Sequence, residues 1–142
     1  MADTTKGKGG CLCGSVKFSV QNISKSVGAC HCTSCQKWTG GPLMTVECGS
    51  DVSFVDEENI SVYNSSDWAE RAFCNKCGSH LYYRLKDANQ FIIPVGLFDT
   101  EISFVFDHQI FIESMPSYYC FENETKKMTG EEVFAQFSPP EI

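Results

Sequence analysis

Seven of the nine cysteines fall into three short runs, and this spacing constrains the chain more than any other feature. The runs are Cys11-Leu12-Cys13-Gly14, Cys30-His31-Cys32-Thr33-Ser34-Cys35 and Cys74-Asn75-Lys76-Cys77-Gly78. Cysteines one residue apart do not bridge each other comfortably, the total is odd, and a disulfide framework belongs to oxidising compartments. The amino-terminal stretch MADTTKGKGG lacks the apolar segment of a secretory signal, so a cytoplasmic, reducing setting is expected. Thiolates at these spacings converge instead on one soft cation.

Cys11, Cys13, Cys74 and Cys77 form two pairs, each with a glycine directly after the second cysteine. A backbone folding around a metal-bound sulfur needs a residue that tolerates positive φ, which glycine does without steric cost. Together the pairs complete a tetrahedral four-cysteine zinc site. Such a closed site contributes stability, because metal binding becomes folding free energy. Cys30, Cys32 and Cys35 remain as a trio with no evident fourth protein ligand, which matches the open position of a catalytic zinc. Two other readings of the trio stay open: a second structural zinc completed by a distant residue or a partner, and a redox-sensing set of thiols. His31 sits between two proposed ligands and in an extended run points away from them, as a hydrogen bonder. His80 reads as a strand residue, and Cys48 and Cys120 as buried apolar groups.

The rest of the chain reads as mainly β: short antiparallel strands in small packed sheets, stapled by zinc, with one or two short helices. Ser15–Val20 alternates Val16, Phe18 and Val20 with polar residues, the mark of a strand with one buried face. Pro42–Cys48, Val52–Val55, Ile60–Tyr63, His80–Leu85, Phe91–Phe98, Ile102–Phe106 and Ile110–Glu113 are further strand candidates, with Pro94 at an edge or a bulge. Thr33–Trp38 predicts a short helix capped by Thr33 or Ser34. Thr129–Phe137 opens with a capping box formed by Thr129 and Glu132. The 142 residues suit one domain over residues 10–137, between flexible tails at 1–9 and 138–142. No apolar run is long enough to span a bilayer.

The net charge of −7 argues against a sequence-independent grip on nucleic acid. It is unevenly spread. Residues 1–50 carry five lysines against two acids, whereas residues 99–142 carry nine acids against two lysines. The cysteine-rich part therefore tolerates a small anionic ligand.

The segments GGCLCGSVKF, CHCTSCQKWTGG, RAFCNKCGSHLYY, IPVGLFD and DHQIFIE, in this order, resemble the glutathione-dependent formaldehyde-activating enzyme family, which includes the centromere protein V relatives. The resemblance runs from about Gly10 to Phe137. It implies two Zn²⁺ ions, a structural one on Cys11, Cys13, Cys74 and Cys77 and a catalytic one on Cys30, Cys32 and Cys35. It further implies a carbon–sulfur lyase that joins a thiol such as glutathione to formaldehyde or a related small aldehyde, giving S-hydroxymethylglutathione, and cleaves it in reverse. Lys37, Trp38 and Arg71 are then candidate contacts for the thiol substrate, and Asp99, His108 and His31 candidate proton donors. Relatives commonly carry two basic residues after the trio, where this chain has Gln36-Lys37. The competing expectation is a zinc-stabilised protein-interaction module without catalysis. Neither nucleic acid nor membrane is an expected partner, and the sequence leaves the oligomeric state open.

Overall fold

Short alternating segments between turn-forming residues give strands, and strands dominate. The computed structural model describes residues 4–137, which form eleven strands and two α-helices. In chain order these are β1 (Thr4–Gly10), β2 (Lys17–Ser24), β3 (Ser26–Cys30), α1 (Thr33–Thr39), β4 (Leu43–Glu47), β5 (Val52–Val55), β6 (Ile60–Tyr63), β7 (Ala69–Cys74), β8 (His80–Leu85), β9 (Gln90–Pro94), β10 (Val105–Ile110), β11 (Lys126–Met128) and α2 (Gly130–Phe137). The chain divides into two units, each built from two separate segments. The first comprises the residues up to Lys25 together with Thr45–Phe104; the second comprises Ser26–Met44 and the residues from Val105 onward.

In the first unit β1, β2 and β5 form an antiparallel three-stranded sheet. A second antiparallel set runs from residues Thr45–Glu47 of β4 through β9, β8 and β7 to β6. The alternation in β2 buries Phe18 and Val20 and exposes Lys17. Phe54 of the first sheet meets Tyr82 and Phe91 of the second, with ring centroids 5.3 and 5.8 Å apart. Such aromatic pairs contribute about 0.5–1.5 kcal/mol each beyond their buried area. Leu81 and Ile93 are fully buried in the same set of strands. Pro94 is the last residue of β9, opposite Thr45, so its missing N–H falls where the ladder ends.

The amino-terminal segment departs from expectation. Thr4–Gly10 is β1 rather than part of a flexible tail. Its glycines mark close approach instead of looseness: a Cβ on Gly9 would lie 2.2 Å from the Leu97 carbonyl oxygen.

In the second unit the pairing is parallel, in the order β11, β10, β3, whereas the sequence suggested antiparallel strands throughout. His108 of β10 lies opposite Gly28 of β3, and a Cβ on Gly28 would come within 2.2 Å of its Nε2. The helix predicted over Thr33–Trp38 is present as α1, but its cap is Cys32, not Thr33 or Ser34. It ends at Gly40, whose φ of 85° suits glycine and whose N–H donates to the Gln36 carbonyl at 2.7 Å. The Gly40-Gly41 pair thus serves a helix end. The capping box of α2 closes in both directions: Thr129 N–H donates to Glu132 Oε1 at 2.8 Å and Glu132 N–H to Thr129 Oγ1 at 3.1 Å. A cap of this kind stabilises by about 1 kcal/mol. The expected tail at 138–142 lies outside the described residues.

Candidate metal centres

The four-cysteine cluster belongs wholly to the first unit. Cys11 and Cys13 sit on the turn between β1 and β2, while Cys74 ends β7 and Cys77 lies on the turn from β7 to β8. Both turns close as the glycines predict. Gly14 has φ 81° and donates its N–H to the Cys11 carbonyl at 3.1 Å; Gly78 has φ 80° and donates to the Cys74 carbonyl at 2.8 Å. Cys11 and Cys13 Sγ are 3.7 Å apart, and Cys13 and Cys74 Sγ 3.8 Å. A tetrahedral zinc with Zn–S bonds of about 2.3 Å places its sulfurs about 3.8 Å apart, so the donor set fits that ion. Backbone amides also point at the sulfurs. Val16 N–H donates to Cys11 Sγ at 3.3 Å, and the N–H groups of Lys76 and Cys77 donate to Cys74 Sγ at 3.4 Å. The Ser79 hydroxyl draws the Cys77 thiol down to about 5, and the Ser15 hydroxyl lowers Cys13, while burial raises Cys74.

The trio belongs wholly to the second unit. Cys30 ends β3, Cys32 caps α1 and Cys35 is buried in its first turn. Their three Sγ atoms lie within 4.8 Å of one another. The Cys35 N–H donates to Cys32 Sγ at 3.3 Å, which favours the thiolate that a metal requires. Hydrogen bonds with the Cys32 and Cys35 thiols, and then burial, push Cys30 upward. Sulfurs crowded in this way ionise together only around a cation, so this donor set also fits a thiophilic metal.

Between the proposed ligands, His31 is fully buried. Its Nε2 lies 2.8 Å from Gln109 Oε1 and its Nδ1 2.7 Å from the Tyr119 hydroxyl. Gln109, itself buried, donates its amide N–H to Thr125 Oγ1 at 2.8 Å, so its oxygen is left to accept from His31. Nε2 is therefore the N–H that donates to Gln109, and in the neutral ring Nδ1 accepts the hydrogen bond that the Tyr119 hydroxyl donates. Gln36 completes the frame by donating to the carbonyls of His31 at 2.7 Å and Ser114 at 2.9 Å. Burial raises the Tyr119 hydroxyl, with smaller contributions from Tyr118 and Cys30. The sequence carries one signal of this network, a histidine enclosed by two cysteines. Its partners lie 78 and 88 positions away and carry none.

The remaining candidates are dispersed. Asp99 is exposed, its N–H donating to the Lys8 carbonyl at 2.8 Å, and Arg71 is buried with its guanidinium 4.8 Å from the centre of the Tyr83 ring. Both belong to the first unit. Lys37 is exposed in the last turn of α1, with Trp38 half-buried beside it. The Nδ1 of His108 lies 2.8 Å from Asp107 Oδ1 and 3.2 Å from Ser26 Oγ. Neither Asp99 nor His108 joins either cysteine cluster. Cys48 is buried as expected, whereas Cys120 is exposed, within a stretch, residues 115–125, that forms neither helix nor strand. No described helix is long and apolar enough to cross a membrane.

Short strands in small sheets, one cluster of four thiols and one of three: this is a small β protein with two candidate metal centres. Residues 6–114 match the family described as glutathione-dependent formaldehyde-activating enzyme, and the chain belongs to that family. It is 34% identical over 127 residues to a protein of Schizosaccharomyces pombe named an uncharacterised lyase, covering 89% of this chain and 93% of that one. A crystal structure of a Rhodobacter sphaeroides protein shares the fold, with a TM-score of 0.57 at 23% identity, over 67% of this chain and 90% of that chain.

Proposed function

We propose that the protein is a zinc-dependent carbon–sulfur lyase of the cytoplasm that adds a glutathione-type thiol to formaldehyde or a related small aldehyde, and reverses that addition. The observation that carries this reading is the three-sulfur cluster at Cys30, Cys32 and Cys35, which offers one ligand fewer than its four-sulfur counterpart. Cys30, Cys32 and Cys35 would hold the zinc, which would supply Lewis acidity able to lower the pKa of a thiol from its free value of about 8.5. The chain's own residues do the rest. The cap on α1 directs the Cys35 amide at Cys32 Sγ, a contact that suits a sulfur serving as a metal ligand. Gln109 and Gln36 fix the ring and the backbone of His31, and with them the spacing of the sulfurs on either side. Lys37, with Trp38 beside it, is the cation we assign to a carboxylate of the thiol substrate, and Arg71 is a second candidate. Asp99 and His108 stand as candidate donors of the proton that the new hydroxyl group needs. Asp99→Asn and His108→Gln test them one at a time.

Exchange NMR on formaldehyde, glutathione and their adduct, with and without zinc-loaded protein, tests the reading. Faster interconversion that disappears in Cys35→Ser supports it. The absence of acceleration at any protein concentration rejects this pair of substrates and favours a zinc-stabilised interaction module.

A further inference from the structure

Two strand edges in the first unit have no partner among the described residues. β5 pairs only with β2, and β6 pairs only with β7. Their sequences, Val-Ser-Phe-Val and Ile-Ser-Val-Tyr, contain none of the charges or prolines that usually block an exposed edge. Between them opens a cleft of about 540 Å³ lined by Val52, Ser53 and Phe54 of β5, Ile60 and Val62 of β6, and Glu57 of the connection, with Tyr82 and Phe91 behind. Val55, Val62, Tyr63 and Trp68 are 48–64% exposed on the same stretch of chain. Open backbone, the rings of Phe54, Tyr82 and Phe91 in the cleft wall and exposed aromatic groups together suit the addition of one more strand.

The charge of this stretch selects the occupant. Residues 51–70 contain Asp51, Asp56, Glu57, Glu58, Asp67 and Glu70, and no lysine or arginine. All except Glu70 are exposed; Glu70 is held by Arg84 at 2.8 Å. Asp51 precedes β5, and Asp56, Glu57 and Glu58 follow it, so both ends of the open edge are acidic. A second copy docking through the same face would set these acids against themselves. We infer that the β5 edge is a docking site for an extended, lysine- or arginine-bearing segment of another protein. The segment adds as a strand to the β1–β2–β5 sheet, alternate apolar side chains entering the cleft and basic ones meeting the acids at its ends. The inference does not rest on the reaction proposed above, although Ile60 of β6 pairs with Cys74 of the four-sulfur cluster.

Amide NMR titration of the zinc-loaded protein with the peptide acetyl-(Lys-Val)₃-amide tests the inference. Shifts confined to Val52–Val55, Ile60, Val62 and Phe91 are expected, with none from acetyl-(Glu-Val)₃-amide. Binding should weaken about tenfold in the double variant Glu57→Lys with Glu58→Lys. On the unaltered protein it should weaken about fivefold between about 0.05 and about 0.3 M salt, which keeps the test intact if the variant misfolds. Several results overturn the inference: no shifts at millimolar peptide, equal response to the acidic peptide, shifts away from the cleft, or indifference to salt. So does a change in the β5 amides with protein concentration alone, accompanied by a dimer in sedimentation, since the occupant is then a second copy.

Discussion

The two thiol clusters are made from the same chemical group and held in opposite ways. The four-sulfur cluster lies on two glycine-terminated turns of antiparallel strands, and its contacts come from backbone amides and nearby serines. The three-sulfur cluster lies where a strand meets a helix, and side chains from remote parts of the chain buttress it. A cluster built from local turns needs only its metal to be rigid. One built at the junction of a strand and a helix needs a framework, and here the framework is a buried histidine with a glutamine and a tyrosine on its ring.

The largest effect expected to separate them is the loss of a ligand from the closed site. Cys74→Ser should unfold the first unit, because structural zinc in small domains contributes on the order of 10 kcal/mol. Far-UV circular dichroism alongside zinc content measures this. Cys35→Ser should lose only the second zinc and keep its circular dichroism spectrum. If both variants unfold alike, the contrast between a stabilising and a reactive centre is wrong. Gln109→Leu comes next. It leaves the His31 N–H and the Thr125 hydroxyl without their partner, a cost of about 1–3 kcal/mol in urea unfolding. In protein loaded with cobalt it should alter the visible absorption of the three-sulfur centre alone. Tyr119→Phe removes one hydrogen bond to the same ring and should cost about 0.5–1.5 kcal/mol. The smallest effect concerns the two cysteines outside the clusters. Burial pushes Cys48 up to about 12, so iodoacetamide at neutral pH should label exposed Cys120 and spare Cys48 until the protein is denatured, as read by mass spectrometry.

What the sequence reveals divides along the same line. The sorting of seven cysteines into four and three, the positive φ of Gly14 and Gly78, the capping box at Thr129, and the limits of β5, β6 and β8 are all legible, because each depends on residues within one turn or one strand. β1 is not legible. Its glycines and lysines favour a coil, and only the close approach of Ile23, Leu97 and Val16 to Gly7, Gly9 and Gly10 explains why glycine is required. β3 and β7 escape notice for related reasons: Gly28 makes room for a histidine from β10, and Arg71 interrupts the apolar pattern of its strand. The parallel pairing of β3 with β10 and the setting of His31 depend on residues about eighty positions apart, and no local propensity encodes such a meeting.

That separation also governs how the protein is made. A ribosome delivers Cys30, Cys32 and Cys35 long before Gln109, Tyr119 or any residue of β10 exists. Meanwhile the intervening segment, residues 45–104, supplies everything the first unit still lacks, its last two thiols included. Synthesis therefore completes the four-sulfur unit first and leaves the trio as an unframed thiol loop until the carboxy-terminal quarter emerges. A chain released after Phe104 should carry the four-thiol cluster complete and leave the other three thiols without their frame, open to capture by any electrophile or stray metal.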